Sequence, residues 1–206
     1  MSAGYLNHYY DLRKISCMIR VSTLEQLNAT VQTKKALLIL VSIDGPCGSG
    51  KTTLAAQMAE TFGWQIVHMD DFFLPWKDRR EDWKTQIAGN MDLERVKQEI
   101  LVPLAAGQEA MCRPYDCRND RIRPAFAVRP EGIVAVEGNY SRMPALKPYY
   151  DFSIVLECPD SVREERLQRR EGNYYETFRG LWMPMDERYQ REMRIREEAD
   201  ILFTEP

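Results

Sequence analysis

Histidine is scarce in this chain, and its scarcity narrows the chemistry. Only His8 and His68 occur among 206 residues, so acid–base work falls to carboxylates. Cysteine is also poorly supplied. The five residues at 17, 47, 112, 117 and 158 are odd in number and contain no CxxC pair. That fits neither a disulfide framework nor a four-ligand zinc site, and it points to a reducing, cytoplasmic setting. Long apolar runs are missing too. The longest clean one, residues 36–41, falls far short of the roughly 18–20 needed to cross a bilayer. The first twenty residues lack the charged start and apolar block of a secretory signal. Nor is there an excess of basic charge: the net charge of −3 argues against a general nucleic-acid binder. The expected partner is therefore a small molecule, with no nucleic acid and no membrane. Assembly into a homo-oligomer is left open.

What is present is an alternation of short apolar runs and helical patterns. Residues 22–34 read as a helix with Ser22 as N-cap and Glu25 three residues on. Residues 36–43 read as a buried strand. Residues 51–62 read as a helix, with Leu54, Met58 and Phe62 on one face and Gly63 as its stop. Strands follow at 65–68, 133–136, 152–156 and 199–203, and helices at 92–105, 160–171 and 184–199. The stretch 105–131, with Gly107, Pro114, Pro124 and Pro130, reads as a long binding loop. Strands alternating with helices imply an α/β fold with a parallel sheet covered on both faces, whose ligands bind beyond the carboxyl ends of the strands.

The sharpest signal lies at one of those ends. Gly45-Pro-Cys-Gly-Ser-Gly-Lys51-Thr52 matches GxxxxGK[ST] in full. Gly45, Gly48 and Gly50 permit close approach of successive backbone N–H groups to phosphates, with Ser49 among them. Lys51 reaches the outer phosphates, the Thr52 hydroxyl suits Mg²⁺, and Thr53 follows in the first helical turn. The cofactors implied are ATP and Mg²⁺.

Carboxylates gather at the neighbouring strand ends. Asp70 and Asp71 follow the second strand. One of them could take a proton from an attacking hydroxyl and help organise Mg²⁺, or both could be turn residues. Glu137 ends an apolar strand and is a candidate on the Mg²⁺ and substrate side. Asp92 stands before a helix, as either an N-cap or a substrate contact. Arg163, Arg166 and Arg170 share one helical face with Arg169 beside them. This helix is either a cationic lid over a phosphate or a salt-bridged surface. Tyr115 in the long loop is a candidate for stacking. Cys47 reads as a small filler, and His68 as packed beside its strand.

The order of these motifs resembles the uridine kinase branch of the P-loop kinases, which includes phosphoribulokinase- and pantothenate-kinase-like proteins. The matching stretches are GPCGSGKTT (45–53), HMDDFFLP (68–75), GNMD (89–92), RPYDC (113–117), VEGNY (136–140) and RxxRLxRR (163–170). The resemblance implies a P-loop NTPase fold, a five-stranded parallel sheet with a small arginine-bearing lid at about 160–180. The kinase domain would run over 18–206 behind an N-terminal extension of 1–17. It implies that Asp70 activates the acceptor hydroxyl with Lys51, Arg166 and Arg170 at the transferring phosphate and Arg169 beside them. It further implies that Asp92 holds ribose hydroxyls, that Tyr115 lies on the base side, and that Glu137 lies near Mg²⁺. Arg118 follows in Cys117-Arg118-Asn119-Asp120, where the family usually supplies a histidine, and is taken as a further substrate contact. The implied reaction transfers the γ-phosphate of ATP to a small hydroxyl compound, a nucleoside such as uridine or cytidine. The alternatives are a non-nucleoside metabolite as acceptor, or an ATPase switch acting with a protein partner.

Overall fold

β2 (Leu38–Asp44) is apolar on both faces, and it forms an inner strand of a sheet packed on both sides. Leu40 faces one core while Ile39, Val41 and Ile43 face the other, the two-residue period of a strand. The computed structural model describes residues 18–205; the extension 1–17, with His8 and Cys17, lies outside the described residues. The sheet order is β1 (Ile19–Val21), β10 (Ile201–Thr204), β9 (Phe152–Glu157), β2, β8 (Gly132–Glu137) and β3 (Gln65–His68), and every pairing is parallel. Six strands thus replace the expected five. The extra one, β1, is a three-residue edge strand with Ile19 and Arg20 exposed, too short to show alternation.

One face of the sheet is covered by α1 (Leu24–Val31) and α2 (Lys51–Phe62), which bury Leu27, Val31, Leu54, Ala55 and Met58. The cap of α1 is Thr23 rather than Ser22. Its Oγ1 accepts from Gln26 N at 3.2 Å, while Gln26 Oε1 accepts from Ser22 N at 3.0 Å. The far member is Gln26, not Glu25, and it reaches past the cap to the N–H of the preceding residue, a near relative of the capping box. α2 ends where Gly63 takes a φ of 71°, the left-handed cap that glycine adopts without strain.

The other face is covered by one continuous helical segment. α3 (Leu93–Arg95) runs through a π-helical stretch (Val96–Leu101) into α4 (Val102–Ala105), burying Val96, Ile100, Leu101 and Leu104. The expected loop 105–131 is partly ordered as two short antiparallel ladders. β4 (Ala110–Cys112) pairs β7 (Phe126–Val128), and β5 (Tyr115–Asp116) pairs β6 (Arg121–Ile122). Strands of two or three residues broken by Pro114 and Pro124 leave no alternation to read.

α5 (Asp160–Glu171) matches the expectation. α6 (Tyr175–Glu192) replaces the helix expected over 184–199, beginning nine residues earlier and passing through Pro184. An interior proline costs about 3 kcal/mol. Burial of Met185, Asp186 and Tyr189 just beyond it anchors the helix regardless. Among the described residues no helix is long and apolar enough to cross a membrane.

Met58 is fully buried between α2 and the sheet. Met58→Ala is expected to lower the unfolding free energy by about 2–5 kcal/mol, the usual cost of emptying such a site. Urea unfolding followed by circular dichroism would show it as a lower midpoint with an unchanged slope.

Candidate active site

The register of three strands builds the site. Ile43 of β2 and His68 of β3 both stand level with Glu137 of β8. The phosphate loop, the Asp70-Asp71 turn and the Glu137-Gly138 strand end therefore emerge side by side at the carboxyl edge. They enclose a cleft of about 220 Å³ that contains Lys51, Thr52, Asp70, Glu137 and Arg170, with Phe73, Phe178 and Trp182 along its walls.

The loop has the curvature its glycines predict, with φ of 140° at Gly45, 79° at Gly48 and 100° at Gly50. A Cβ at Gly48 would lie 2.9 Å from the Arg163 carbonyl and 3.0 Å from Leu167 Cγ, so glycine there lets α5 rest directly on the loop. Lys51 Nζ donates to the carbonyls of Gly45 at 2.7 Å and Pro46 at 3.1 Å. Ser49 is buried, while Thr52 and Thr53 are exposed in the first turn of α2.

Side chains that the sequence did not single out hold the loop in place. Asp44 is fully buried at the end of β2. Its Oδ1 accepts from Gly45 N at 2.7 Å and Gln190 Nε2 at 3.1 Å, and its Oδ2 from Tyr189 OH at 2.6 Å and Ser141 Oγ at 3.0 Å. Asp186 of α6 accepts from Cys47 N at 2.7 Å through Oδ2 and from Asn139 Nδ2 at 2.7 Å through Oδ1. From α5, Arg163 donates its Nε to Cys47 O at 2.9 Å. Asp44 carried a readable signal, a carboxylate at the end of an apolar strand. Asp186 carried none, being one acid in a charged helix.

Around Asp70 the charges are of mixed sign. Crowding by protein, and then the charge of Glu137, raise the Asp70 carboxyl above the usual range, against the pull of Lys51, His68 and Arg170. Glu137 Oε1 accepts from Thr52 Oγ1 at 3.2 Å and meets His68 Nδ1 at 2.5 Å. This bond raises the His68 pKa above 6.5, so His68 is a partner of Glu137 rather than a packed filler. Asp71 is buried and engaged by the Arg123 guanidinium. Burial raises its pKa, against that ion pair. The two aspartates thus differ: Asp70 opens onto the cleft and Asp71 is held by an arginine. Burial, and then Asp186, push the Cys47 thiol up to about 12, which leaves it protonated and fits the reading as a filler.

Beyond Asp70 lies a second depression of about 330 Å³, lined by Asp71, Phe73, Tyr115, Arg118 and Arg123, with Asp70 at its edge. Tyr115 OH donates to Asp120 Oδ1 at 2.6 Å. Among the charged candidates, Asp92, Arg166 and Arg169 line neither space. Asp92 caps α3 by accepting from Arg95 N at 3.0 Å, and Arg169 is exposed on α5. Arg166 lies at the loop, donating to Ser49 O at 3.3 Å and Glu205 at 2.8 Å, while Arg170 lines the cleft and donates to Glu171 at 2.7 Å.

No family model matches the chain. It is 30% identical over 148 residues to a cytidylate kinase of Natronomonas pharaonis, covering 67% of this chain and 62% of that protein. It thus spans under two thirds of that relative's length. Among solved structures, a possible uridine kinase from Bacillus stearothermophilus superposes with a TM-score of 0.69 at 22% identity, covering 87% of this chain and 96% of that one. A candidate fructose transport system kinase from Silicibacter sp. TM1040 superposes with a TM-score of 0.61 at 24% identity, covering 88% and 99%. The chain has the α/β fold of the uridine kinase-like P-loop kinases.

Removing the Asp186 carboxylate strands the Cys47 and Asn139 donors. Asp186→Ala is expected to lower the thermal midpoint by roughly 4–10 °C in the absence of nucleotide. Scanning calorimetry would measure this, and a midpoint within a degree of the parent would show the contact to be inert.

Proposed function

We propose that this chain is a kinase that transfers the γ-phosphate of ATP to a hydroxyl of a small molecule, a nucleoside such as uridine or cytidine. The observation that carries the reading is the single cleft in which Asp70 shares a wall with Lys51 and Thr52 of the phosphate loop. Phosphoryl transfer asks mainly for positioning and for charge to be met where it develops.

The residues divide that work. The loop amides and the start of α2 receive the phosphates, and Lys51 exchanges the Gly45 and Pro46 carbonyls for phosphate oxygens. Thr52, Glu137 and Asp70 offer only oxygen atoms, the donor set that magnesium prefers. Bound there, Mg²⁺ would neutralise charge on the outer phosphates. Asp70 orients the acceptor hydroxyl and takes its proton. Its raised pKa brings it nearer the working pH, where a base is most effective. Arg170 lines the cleft with Lys51 as a cation for the transferring group, Arg166 stands behind the loop at Ser49, and closing α5 and α6 over the site would exclude water. Tyr115 and Arg118 line the outer depression as substrate contacts.

A second reading takes its acceptor from the cytidylate kinase relative: a nucleotide phosphate in place of a hydroxyl. Arg118 and Arg123 at the depression favour it. Asp70 speaks against it, because a phosphate acceptor is already ionised and a carboxylate beside it repels.

Lys51→Ala is expected to abolish transfer while the far-ultraviolet circular dichroism stays unchanged. Asp70→Asn is expected to keep ATP binding and to cut transfer by at least ~100-fold. Both are read as ADP formation with uridine, cytidine, cytidine monophosphate and fructose as acceptors. Turnover near the parent level in either variant contradicts the assigned role.

A further inference from the structure

One group in the cleft has no work in the scheme above. Asn90 lines the cleft with Asp70, Phe73, Met91 and Trp182, and it is 1% exposed. Its Oδ1 is buried and finds no hydrogen-bond partner among the described residues. A buried polar atom left in that state costs about 1–3 kcal/mol, and such atoms are rare enough in folded proteins to need an explanation.

The backbone around Asn90 is firmly placed, so a loose loop does not explain the orphan. Leu74 N donates to Asn90 O at 2.8 Å, Asp92 N donates to Phe72 O at 2.8 Å, and Phe73 and Met91 form an antiparallel bridge. The segment after Asp70 is thus zipped to the segment carrying Asn90, and the two residues share one rigid wall. The other orphaned amide in the cleft belongs to Asn139, whose Nδ2 is committed to Asp186 and Cys47 on the phosphate side. Asn90 has no such engagement, and its neighbours Phe73 and Met91 offer it no hydrogen bond.

We propose that Asn90 is a specificity-determining residue of the acceptor site, its amide left unpaired by the fold so that rotation of the side chain can turn the buried oxygen toward a donor on the bound acceptor. This rests on the kinase reading and narrows it. The acceptor carries, besides the hydroxyl presented to Asp70, a second donor, another hydroxyl or a ring N–H. It also carries a flat or apolar face that fits Phe73, Phe178 and Trp182. A site that commits a buried polar group to a substrate donor discriminates strongly against analogues lacking it, because the analogue leaves the group stranded.

The test uses the full chain, with Asn90→Leu as the near-isosteric apolar variant and Asn90→Ala as the smaller one. Turnover of uridine is compared with that of its 2′-deoxy, 3′-deoxy and N3-methyl analogues. The expected result is a fall of at least tenfold in acceptor kcat/KM with the Kd for ATP unchanged. The parent's discrimination against its poorest analogue should collapse toward unity in the variant. The thermal midpoint of Asn90→Leu should hold or rise, because an unpaired polar atom has been removed from the interior without opening a cavity. A lower midpoint with unaltered acceptor kinetics and discrimination overturns the proposal and makes Asn90 structural. If the parent phosphorylates none of uridine, cytidine, cytidine monophosphate and fructose, the kinase reading fails instead. The stability arm then decides Asn90 on the near-isosteric variant: an Asn90→Leu midpoint that holds or rises keeps it as a ligand-dedicated group, and a fall overturns it.

Discussion

Everything at this site hangs on three parallel strands ending level. Ile43, Glu137 and His68 stand abreast across β2, β8 and β3, and parallel hydrogen bonding allows no fractional displacement. A slip of one residue would turn every side chain of β3 to the opposite face. A slip of two would move the Asp70 turn by about 6.6 Å, beyond reach of the phosphate loop. Register is fixed by burial on both faces: Val67 and Val136 must meet one core, and Ala135 the other. The arrangement of the candidate site is in that sense a by-product of core packing.

The second constraint is electrostatic. A loop that presents bare N–H groups to an anion has to be held open, and here two buried carboxylates hold it from below. Asp44 fastens Gly45 to Tyr189, Gln190 and Ser141, while Asp186 fastens Cys47 to Asn139. Buried carboxylates are costly unless hydrogen bonds surround them, and both are so surrounded. Burial raises the Asp186 carboxyl, with Lys51 as the chief opposing influence, so the loop lysine serves its own support as well as the cleft.

Much of this was legible in the sequence wherever periodicity or a motif spoke. α2, β3 and α5 lie at the residues their patterns mark, because a full amphipathic turn or an apolar run bounded by glycine leaves little choice. The phosphate loop was legible because its residues are dictated by close backbone approach. What stayed hidden was short or tertiary. β1 has one buried side chain. The ladders of the 110–128 ribbon are too brief for alternation, and the π-helical stretch of 96–101 has no sequence signature. Pro184 reads as a start or stop signal, yet packing at Asp186 and Tyr189 carries the helix through it. Asp92 illustrates ambiguity rather than concealment: an aspartate before a helix is consistent with two roles, and the structure gives it the cap bond.

That proline has one more implication. Lacking an N–H, Pro184 leaves the Gly180 carbonyl without its usual intrahelical donor, and Gly180 itself adds no side chain to stiffen the turn. On one side of this soft joint, Phe178 and Trp182 face the cleft. On the other, Asp186 and Tyr189 are bolted to the phosphate loop and to Asp44. The near arm is fastened as well, Tyr175 OH to Glu164 at 2.9 Å and Trp182 against Trp83, so one rod joins the aromatic wall of the cleft to the footing of the loop beneath it.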